Sequence, residues 1–436
     1  MPDHARSTNP AVQAQLDRLW NLSLGADVLG LDRITRLLDR LGDPHRHLPP
    51  VLYVAGTNGK GSTCAFLRAA LEAAGHKVHV YSSPHLVRFN ERIRLAGELI
   101  GDPALAALLE EVLDRANGNN ASFFEITTAA AFLAFARTPA DACVIEVGLG
   151  GRLDATNVLP DPAATGIAAL GIDHQSFLGD TAVQIAREKA GIAKPGRPLI
   201  TLAYPAPIAA AVEEVAADHD APILALNRAW SFRSHPDRIA YADARGALDL
   251  PLPSLSGRHQ HANLALATAM LRHQDRIAFP DAALQTAATT ARWPARLQRL
   301  RPGPLTALLP NGAEIWLDGG HNEDAAAAIA PAIAERASGR PIHLILGLLA
   351  NKDMAGVLRH LAPLAASLTG VPVPDHAHHA PADLARTAKE AGVQRVATAT
   401  DVPAALTAQP GAPVVLIAGS LYLAGAVLAA NGEPPD

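Results

Sequence analysis

The chain has 436 residues, 49% apolar and 18% charged, with a net charge of −5 and two cysteines. That length exceeds one ordinary core and predicts two domains, with ample apolar material to bury. The mild acidity, without a basic block, excludes a general nucleic-acid binder, and Cys64 and Cys143, each inside an apolar run, exclude a disulfide framework or a metal spacing.

Met1 to Pro10 are polar with no apolar segment, so no secretory signal and a cytoplasmic protein are expected. Residues 12 to 48 read as helical, with Leu16, Leu19, Trp20, Ile34, Leu37, Leu38 and Leu41 at helical spacing, ended by Gly42-Asp43-Pro44. Val51 to Val54 predict a short buried strand, and Ser62 to Ala74 a helix. Between them lies Ala55-Gly-Thr-Asn-Gly-Lys-Gly61. A strand, a glycine-rich turn and a helix N-terminus form an anion site, because unpaired N–H groups and the positive end of the helix dipole point at the ligand. Lys60 adds a mobile cation for terminal phosphates, and the hydroxyl of Ser62 or Thr63 is placed to reach magnesium. The common phosphate-loop pattern is only partly matched, since Val54 stands where its first glycine belongs and Gly61 separates Lys60 from Ser62.

Val78 to Tyr81 predict the next strand and Ala142 to Val147 another, interrupted by Glu146. A buried carboxylate there is costly unless it pairs with an arginine or binds a metal. The apolar run from Thr165 predicts a strand ending in Asp173-His174, and Ile185 to Ile192 a helical turn placing Lys189 among apolar residues. Such a lysine is desolvated and reactive unless a carboxylate pairs with it. Residues 195 to 255 carry little signal beyond a weak strand at Trp230-Ser-Phe232, and Gly257 to Met270 predict a helix with a polar first turn, where Asn263 can read a ligand or cap the helix.

Trp293 to Gln298 and Arg301-Pro-Gly-Pro304 read as a junction, dividing the chain into domains 1–298 and 299–436. The second domain shows strands at Glu314 to Leu317, Ile342 to Leu346 and Val414 to Ala418, a loop at Asp318 to Asn322, and a helix from Ala325 to Ala334. Val414 to Ala430 carry no charge, and Gly419-Ser420 divide the run into a strand and a helix rather than a membrane span. His376-Ala-His-His379 has no carboxylate pattern around it and reads as a solvated loop. The fold class is therefore α/β: an N-terminal phosphate-loop, mostly parallel sheet covered by helices, and a smaller C-terminal Rossmann-like domain.

With Gly56-Thr-Asn-Gly-Lys-Gly-Ser62, Tyr81-Ser-Ser-Pro-His-Leu86, Phe124-Glu125, Glu146 to Asn157, Asp173-His174, Arg187-Glu-Lys-Ala-Gly191, Gly257, His259, Gln260, Asn263, Arg296 and Asp318-Gly-Gly-His-Asn322 in this order, the chain resembles the folylpolyglutamate synthase/dihydrofolate synthase family of the Mur ligase superfamily. The resemblance implies a ligase in which ATP phosphorylates a carboxylate and the amine of L-glutamate displaces the phosphate. It implies 7,8-dihydropteroate or a reduced folate as acceptor, no membrane or nucleic-acid partner, and a monomer. Carried onto this chain, Asn58, Gly59, Lys60, Gly61 and Ser62 hold the nucleotide with Asn263, Arg296 and Asp318. Ser83, Glu146 and His174 match magnesium ligands, a hard-donor set suited to that ion. Lys189 matches a lysine that members carry as a carbamate, and His321 a catalytic or glutamate-positioning residue. Ser122, Phe123, Phe124 and Glu125, with Leu153, Asp154 and Ala155, match the pterin loops.

Two departures bear on substrate preference rather than reaction class. Gly320 and Glu323 stand where the family usually has Ala and Pro, and Ala121 to Glu125 read Ala-Ser-Phe-Phe-Glu where Thr and a varied aromatic are commoner. Another Mur-type ligase would carry an N-terminal UDP-binding domain, for which about 50 residues before the phosphate loop leave no room. A phosphate-loop ATPase without ligase activity leaves Glu146, His174, Lys189 and the Asp318 loop without a task.

Overall fold

The structure, a computed structural model, describes residues 5–22, 29–408 and 414–436. It divides into two compact units. The first comprises Met1–His85, Phe89–Ser254 and Gln260–Arg292, and the second comprises Leu86–Arg88, Leu255–His259 and Trp293–Asp436.

In the first unit the eight-stranded sheet is built from β1 (Val51–Ala55), β2 (Val78–Tyr81), β3 (Ile93–Leu95), β4 (Glu98–Leu99), β5 (Ala142–Glu146), β6 (Ala164–Ile167), β7 (Leu199–Thr201) and β8 (Ile223–Ala225). Their order is β4-β3-β2-β5-β1-β6-β7-β8. All pairs from β2 to β8 are parallel, and only β3 and β4 run antiparallel at one edge. β1 and β5 are buried at every position, as strands covered on both faces must be. From β1 the chain goes to β2 on one side and reaches β6 on the other, so the sheet reverses direction of growth beside β1. Ligands of such sheets bind at that reversal, beyond the C-terminal strand ends.

The helical start differs in detail from the sequence reading. Helices span Pro10–Leu22 and Asp32–Arg40, the second ending before Gly42, and residues 23–28 of the predicted helical stretch lie outside the described residues. The uninformative stretch holds a three-stranded antiparallel sheet, β9 (Trp230–Ser234), β10 (Arg238–Asp243) and β11 (Gly246–Pro251). Its inner corner is fixed by Arg272, whose guanidinium bonds Asp243 at 2.8 and 2.9 Å and Asp281 at 2.9 Å and lies 5.7 Å from the Tyr241 ring centre.

The second unit carries a six-stranded sheet of β12 (Gln298–Arg299), β13 (Glu314–Leu317), β14 (Ile342–Leu346), β15 (Ala365–Gly370), β16 (Arg395–Thr398) and β17 (Val414–Ala418), ordered β12-β13-β17-β14-β15-β16 and parallel except at β12. The uncharged run ends as β17 and a helix, Leu421–Ala430, and no described helix is long and apolar enough to cross a membrane. The histidine loop is not simply solvated. His376, His378 and His379 are half-buried, each ring bonding a backbone carbonyl at 2.7–2.9 Å, and His376 stacks on Tyr422.

One buried histidine gives the first unit a pH-sensitive joint. His79 on β2 stacks flat on Phe135, donates from Nε2 to Thr138 O at 2.9 Å and accepts the Ala96 N–H on Nδ1 at 3.0 Å. Both bonds together require the neutral ring, and burial lowers its pKa below the ordinary 6.5. The unfolded chain therefore binds this proton first, so stability contributed here is complete above pH 6.5 and falls as pH drops below it. His79→Phe, which keeps the stacking, is expected to reduce the pH dependence of the urea midpoint between pH 7 and 5.5 by up to about one proton, or ~1.4 kcal/mol per pH unit. An unchanged slope would contradict the assignment.

Candidate active site

β1 delivers the chain to a loop held on both flanks. The Thr57 and Asn58 amides donate to Ala169 O at 2.8 and 3.2 Å, and the Thr57 hydroxyl bonds Gly171 through both its carbonyl and its N–H at 3.0 and 3.1 Å. Gly56 approaches Ala168 so closely that a β-carbon would lie 2.9 Å from its side chain, and Gly59 turns with φ of 88°. The helix that follows spans Lys60–Ala73, two residues earlier than the sequence reading, so Lys60 lies on its first turn. The two candidate hydroxyls are now distinguishable. Thr63 is fully buried and donates back to Gly59 O at 2.9 Å, so it is not a metal-reaching group. Ser62 Oγ is buried with no hydrogen-bond partner among the described residues, which fits a ligand supplied from outside the chain.

Two amines converge on one oxygen. Lys60 Nζ donates to Gly56 O at 3.1 Å, and Lys189 Nζ, from the helix Ala182–Ala190, donates to the same atom at 3.0 Å. Lys189 is 4% exposed and bonds a carbonyl, not the carboxylate considered from sequence. Burial, and then the Lys60 charge, push its pKa down to about 7, against the pull of Asp173 and Asp154. The site is therefore rich in positive charge at a helix N-terminus.

The oxygen-rich side of the site comes from strand ends. Glu146 is the last residue of β5, in register with Val54, and 5% exposed. Its charge adds to burial in raising the pKa of Cys64. Ser83 is half-buried just after β2. His174 departs from the expectation of a strand-end pair. β6 stops at Ile167, and Asp173-His174 lie farther on, in a loop where the exposed His174 adopts φ of 53° and donates its N–H to Asp173 Oδ1 at 2.8 Å. Among the described residues no three His, Cys, Asp or Glu gather as a closed metal cage. An open set of hydroxyl, carboxylate and imidazole completed by water and phosphate oxygens needs none.

The loops expected to meet the pterin are partly engaged with themselves. Ser122 and Glu125 form a reciprocal capping box that starts the helix Phe123–Arg137, and Glu125 also pairs with Arg33 at 3.0 Å. The Ser-x-x-Glu spacing announces that cap in the sequence. Phe124 lies against Gly148, where a β-carbon would stand 2.2 Å from the ring. Asp154, fully buried, accepts from the Leu149 and Thr156 amides at 2.7 and 2.9 Å and from the Thr156 hydroxyl, which in turn bonds Tyr53. Burial raises its pKa, opposed by those donors. Its carboxylate thus shapes the loop that carries Leu153 and Ala155. Tyr204 was not singled out, yet its hydroxyl bonds Ile167 O and Ala168 O at 2.7 and 2.8 Å and fixes the segment packed on Gly56. A lone tyrosine after a strand gives no signal of this.

In the second unit Asp318 directly follows β13 and is 3% exposed. Its two oxygens accept from the Leu297 amide at 2.7 Å and the Gly320 amide at 2.6 Å. Arg296 stands between two left-handed residues, Ala295 and Leu297, at φ of 54° and 42°. Such strained non-glycine turns persist only where surrounding contacts enforce them, and Asp318 supplies one. His321 Nδ1 bonds Gly319 O at 2.9 Å, so the neutral ring carries its proton there and has its lone pair on Nε2. Asn322 caps the helix Glu323–Ala337.

The second unit matches the Mur ligase glutamate ligase domain over residues 305–421. A dihydrofolate synthase/folylpolyglutamate synthase of Bacillus subtilis is 34% identical over 77% of this chain and 79% of its own. Among solved structures, E. coli FolC in complex with DHPP and ADP superposes with a TM-score of 0.87 at 30% identity over 97% of each chain. The bifunctional Yersinia pestis enzyme complexed with AMPPNP and Mn ion gives 0.84 at 29% identity over 97% and 99%. The chain belongs to the folylpolyglutamate synthase/dihydrofolate synthase family of ATP-dependent glutamate ligases.

Proposed function

We propose that this enzyme performs both family reactions, joining L-glutamate to 7,8-dihydropteroate to make dihydrofolate and adding further glutamates to reduced folates, as a monomer in the cytoplasm. The observation that supports this best is the convergence of Lys60 and Lys189 on Gly56 O beside a helix N-terminus, a cradle for polyphosphate. Phosphoryl transfer needs positioning and charge neutralisation more than covalent help. In the proposed sequence a pterin-borne carboxylate oxygen attacks the γ-phosphorus of ATP and ADP leaves. The free amine of glutamate then attacks the acyl carbon, and phosphate departs with the former carboxylate oxygen.

The amides of Gly59 and Gly61 and the Lys60 ammonium hold the transferring phosphates, Asn58, Gly59 and Ser62 completing the loop, and Lys60 exchanges its bonds to Gly56 O and Thr57 O for phosphate oxygens. Ser62, Ser83, Glu146 and His174 would hold magnesium, which when bound supplies positive charge against the phosphates. The Ser62 hydroxyl, without a partner among the described residues, and the oxygen-dominated donor set fit that ion. A pKa of about 7 keeps much of Lys189 as the neutral amine that attacks CO₂. The nitrogen bonds the carbon, a proton leaves, and the buried cation becomes an anionic carbamate. Asn263, Arg296 and Asp318 position the nucleotide, Asp318 by holding the backbone around Arg296. His321 orients or deprotonates the incoming amine through Nε2. Ser122 to Glu125 and Leu153 to Ala155 receive the pterin, with Phe124 offering a ring face and Glu125 and Asp154 keeping the loops in shape.

Release of ADP is expected to require MgATP, L-glutamate and a pterin together, and both 7,8-dihydropteroate and tetrahydrofolate are expected to support it. Turnover with folates but never with dihydropteroate would remove the first activity. Lys60→Ala is expected to lower turnover at least ~100-fold, the scale of losing a charge-stabilising donor. Its melting temperature should change little, because the ammonium lies over a carbonyl rather than in the core. A Lys60→Ala enzyme of near-native activity would refute the phosphate assignment.

A further inference from the structure

Gln260 is fully buried one turn before Asn263 on the helix His259–His273. Its Oε1 accepts from Asn263 Nδ2 at 2.9 Å. A side-chain amide can be turned two ways, and its hydrogen bonds decide which. Here Gln260 takes the NH₂ side, so the Asn263 oxygen faces the other way, onto the phosphate loop. Asn263 Oδ1 lies 2.4 Å from where a β-carbon of Gly59 would stand, against 3.3 Å for Nδ2. Gly59 is the left-handed residue immediately before Lys60, and its carbonyl receives both the amide and the hydroxyl of Thr63 at 2.9 Å.

We propose that Gln260 is a positioning residue for the nucleotide, acting through Asn263: it fixes the orientation of the Asn263 amide, which packs its oxygen on Gly59 and keeps the phosphate loop in its binding shape before ATP arrives. The physical gain is preorganisation. Loop amides already aimed at the phosphates need no reordering when the charge arrives. Without the Gln260 oxygen the Asn263 amide loses the partner of a buried N–H and can turn over, bringing NH₂ against Gly59. The loop then has to be ordered at the expense of ATP affinity, while chemistry in the filled site changes less. The inference rests on reading Asn263 and the loop as nucleotide contacts.

Four variants test it: Gln260→Met, which keeps volume but offers no such acceptor, Gln260→Glu, which keeps an acceptor oxygen, Asn263→Ala, and the double variant Q260M/N263A. KM for ATP and kcat are measured by ADP release, with thermal unfolding as a check of fold. Q260M is expected to raise KM for ATP about fivefold to tenfold, the scale of one lost buried hydrogen bond, with kcat within about twofold of native. Q260E should lie nearer native, and the double variant should match N263A, since the second change removes what the first acts through. Multiplying effects in the double variant, or a Q260M enzyme with native KM beside an impaired N263A, would overturn the role of Gln260 alone. An N263A enzyme with native KM would instead overturn the nucleotide reading on which it rests. Should Q260M not fold, Gln260→Asn, whose shorter amide cannot reach, carries the same comparison.

Discussion

The carbonyl oxygen of Gly56 accepts from two lysines, and the rest of the site is arranged around that demand. Two ammonium groups on one neutral acceptor, one of them almost fully buried, leave positive charge that the protein does not neutralise at that atom. Such an arrangement in low dielectric is costly unless an anion arrives or one amine gives up its proton. The proposed function uses both routes, polyphosphate at Lys60 and loss of the proton at Lys189. Keeping the oxygen in place requires a rigid loop, which explains why Thr57, Ala168, Ala169 and Gly171 are bonded so closely around it and why Tyr204 ties down the other side.

The central strands were legible because they are short, mostly apolar and bounded by turn residues. Val78–Tyr81, Glu314–Leu317, Ile342–Leu346 and Val414–Ala418 match the reading to the residue. β9 to β11 were mostly missed because one of their faces is polar, although Ile239 and Tyr241 alternate inward as half-buried strands do. The phosphate loop was readable from its glycines and lysine alone. Partner choice inside the site was not. Thr63 differs from Ser62 only in which way a helix turn points it, and the capacity of Asp154 to accept the amides of its own loop depends on a fold of the backbone that no spacing announces.

The departures from the family pattern have local causes. At Gly320 a methyl group would stand 2.6 Å from Ile329 Cδ1 and 2.9 Å from Asp318 Oδ1, so the isoleucine fills the space that an alanine would claim. Glu323 occupies the first turn of the helix capped by Asn322. A carboxylate is favourable there, as a proline would be tolerated, and it also pairs with Arg359. Both changes leave Asp318 and His321 bonded to the loop backbone, so they alter packing beneath the second-unit loop and keep its functional groups in place.

The central claim is that charge gathered at the phosphate loop serves to activate a carboxylate, and following an oxygen atom tests it most directly. Dihydropteroate labelled with ¹⁸O in its carboxylate would be turned over with MgATP and L-glutamate, and the released phosphate analysed by mass. The account predicts that each phosphate formed with an amide carries one ¹⁸O, because the carboxylate oxygen attacks phosphorus and leaves with it. Unlabelled phosphate released alongside the amide would contradict an acyl phosphate and with it the purpose assigned to the cradle.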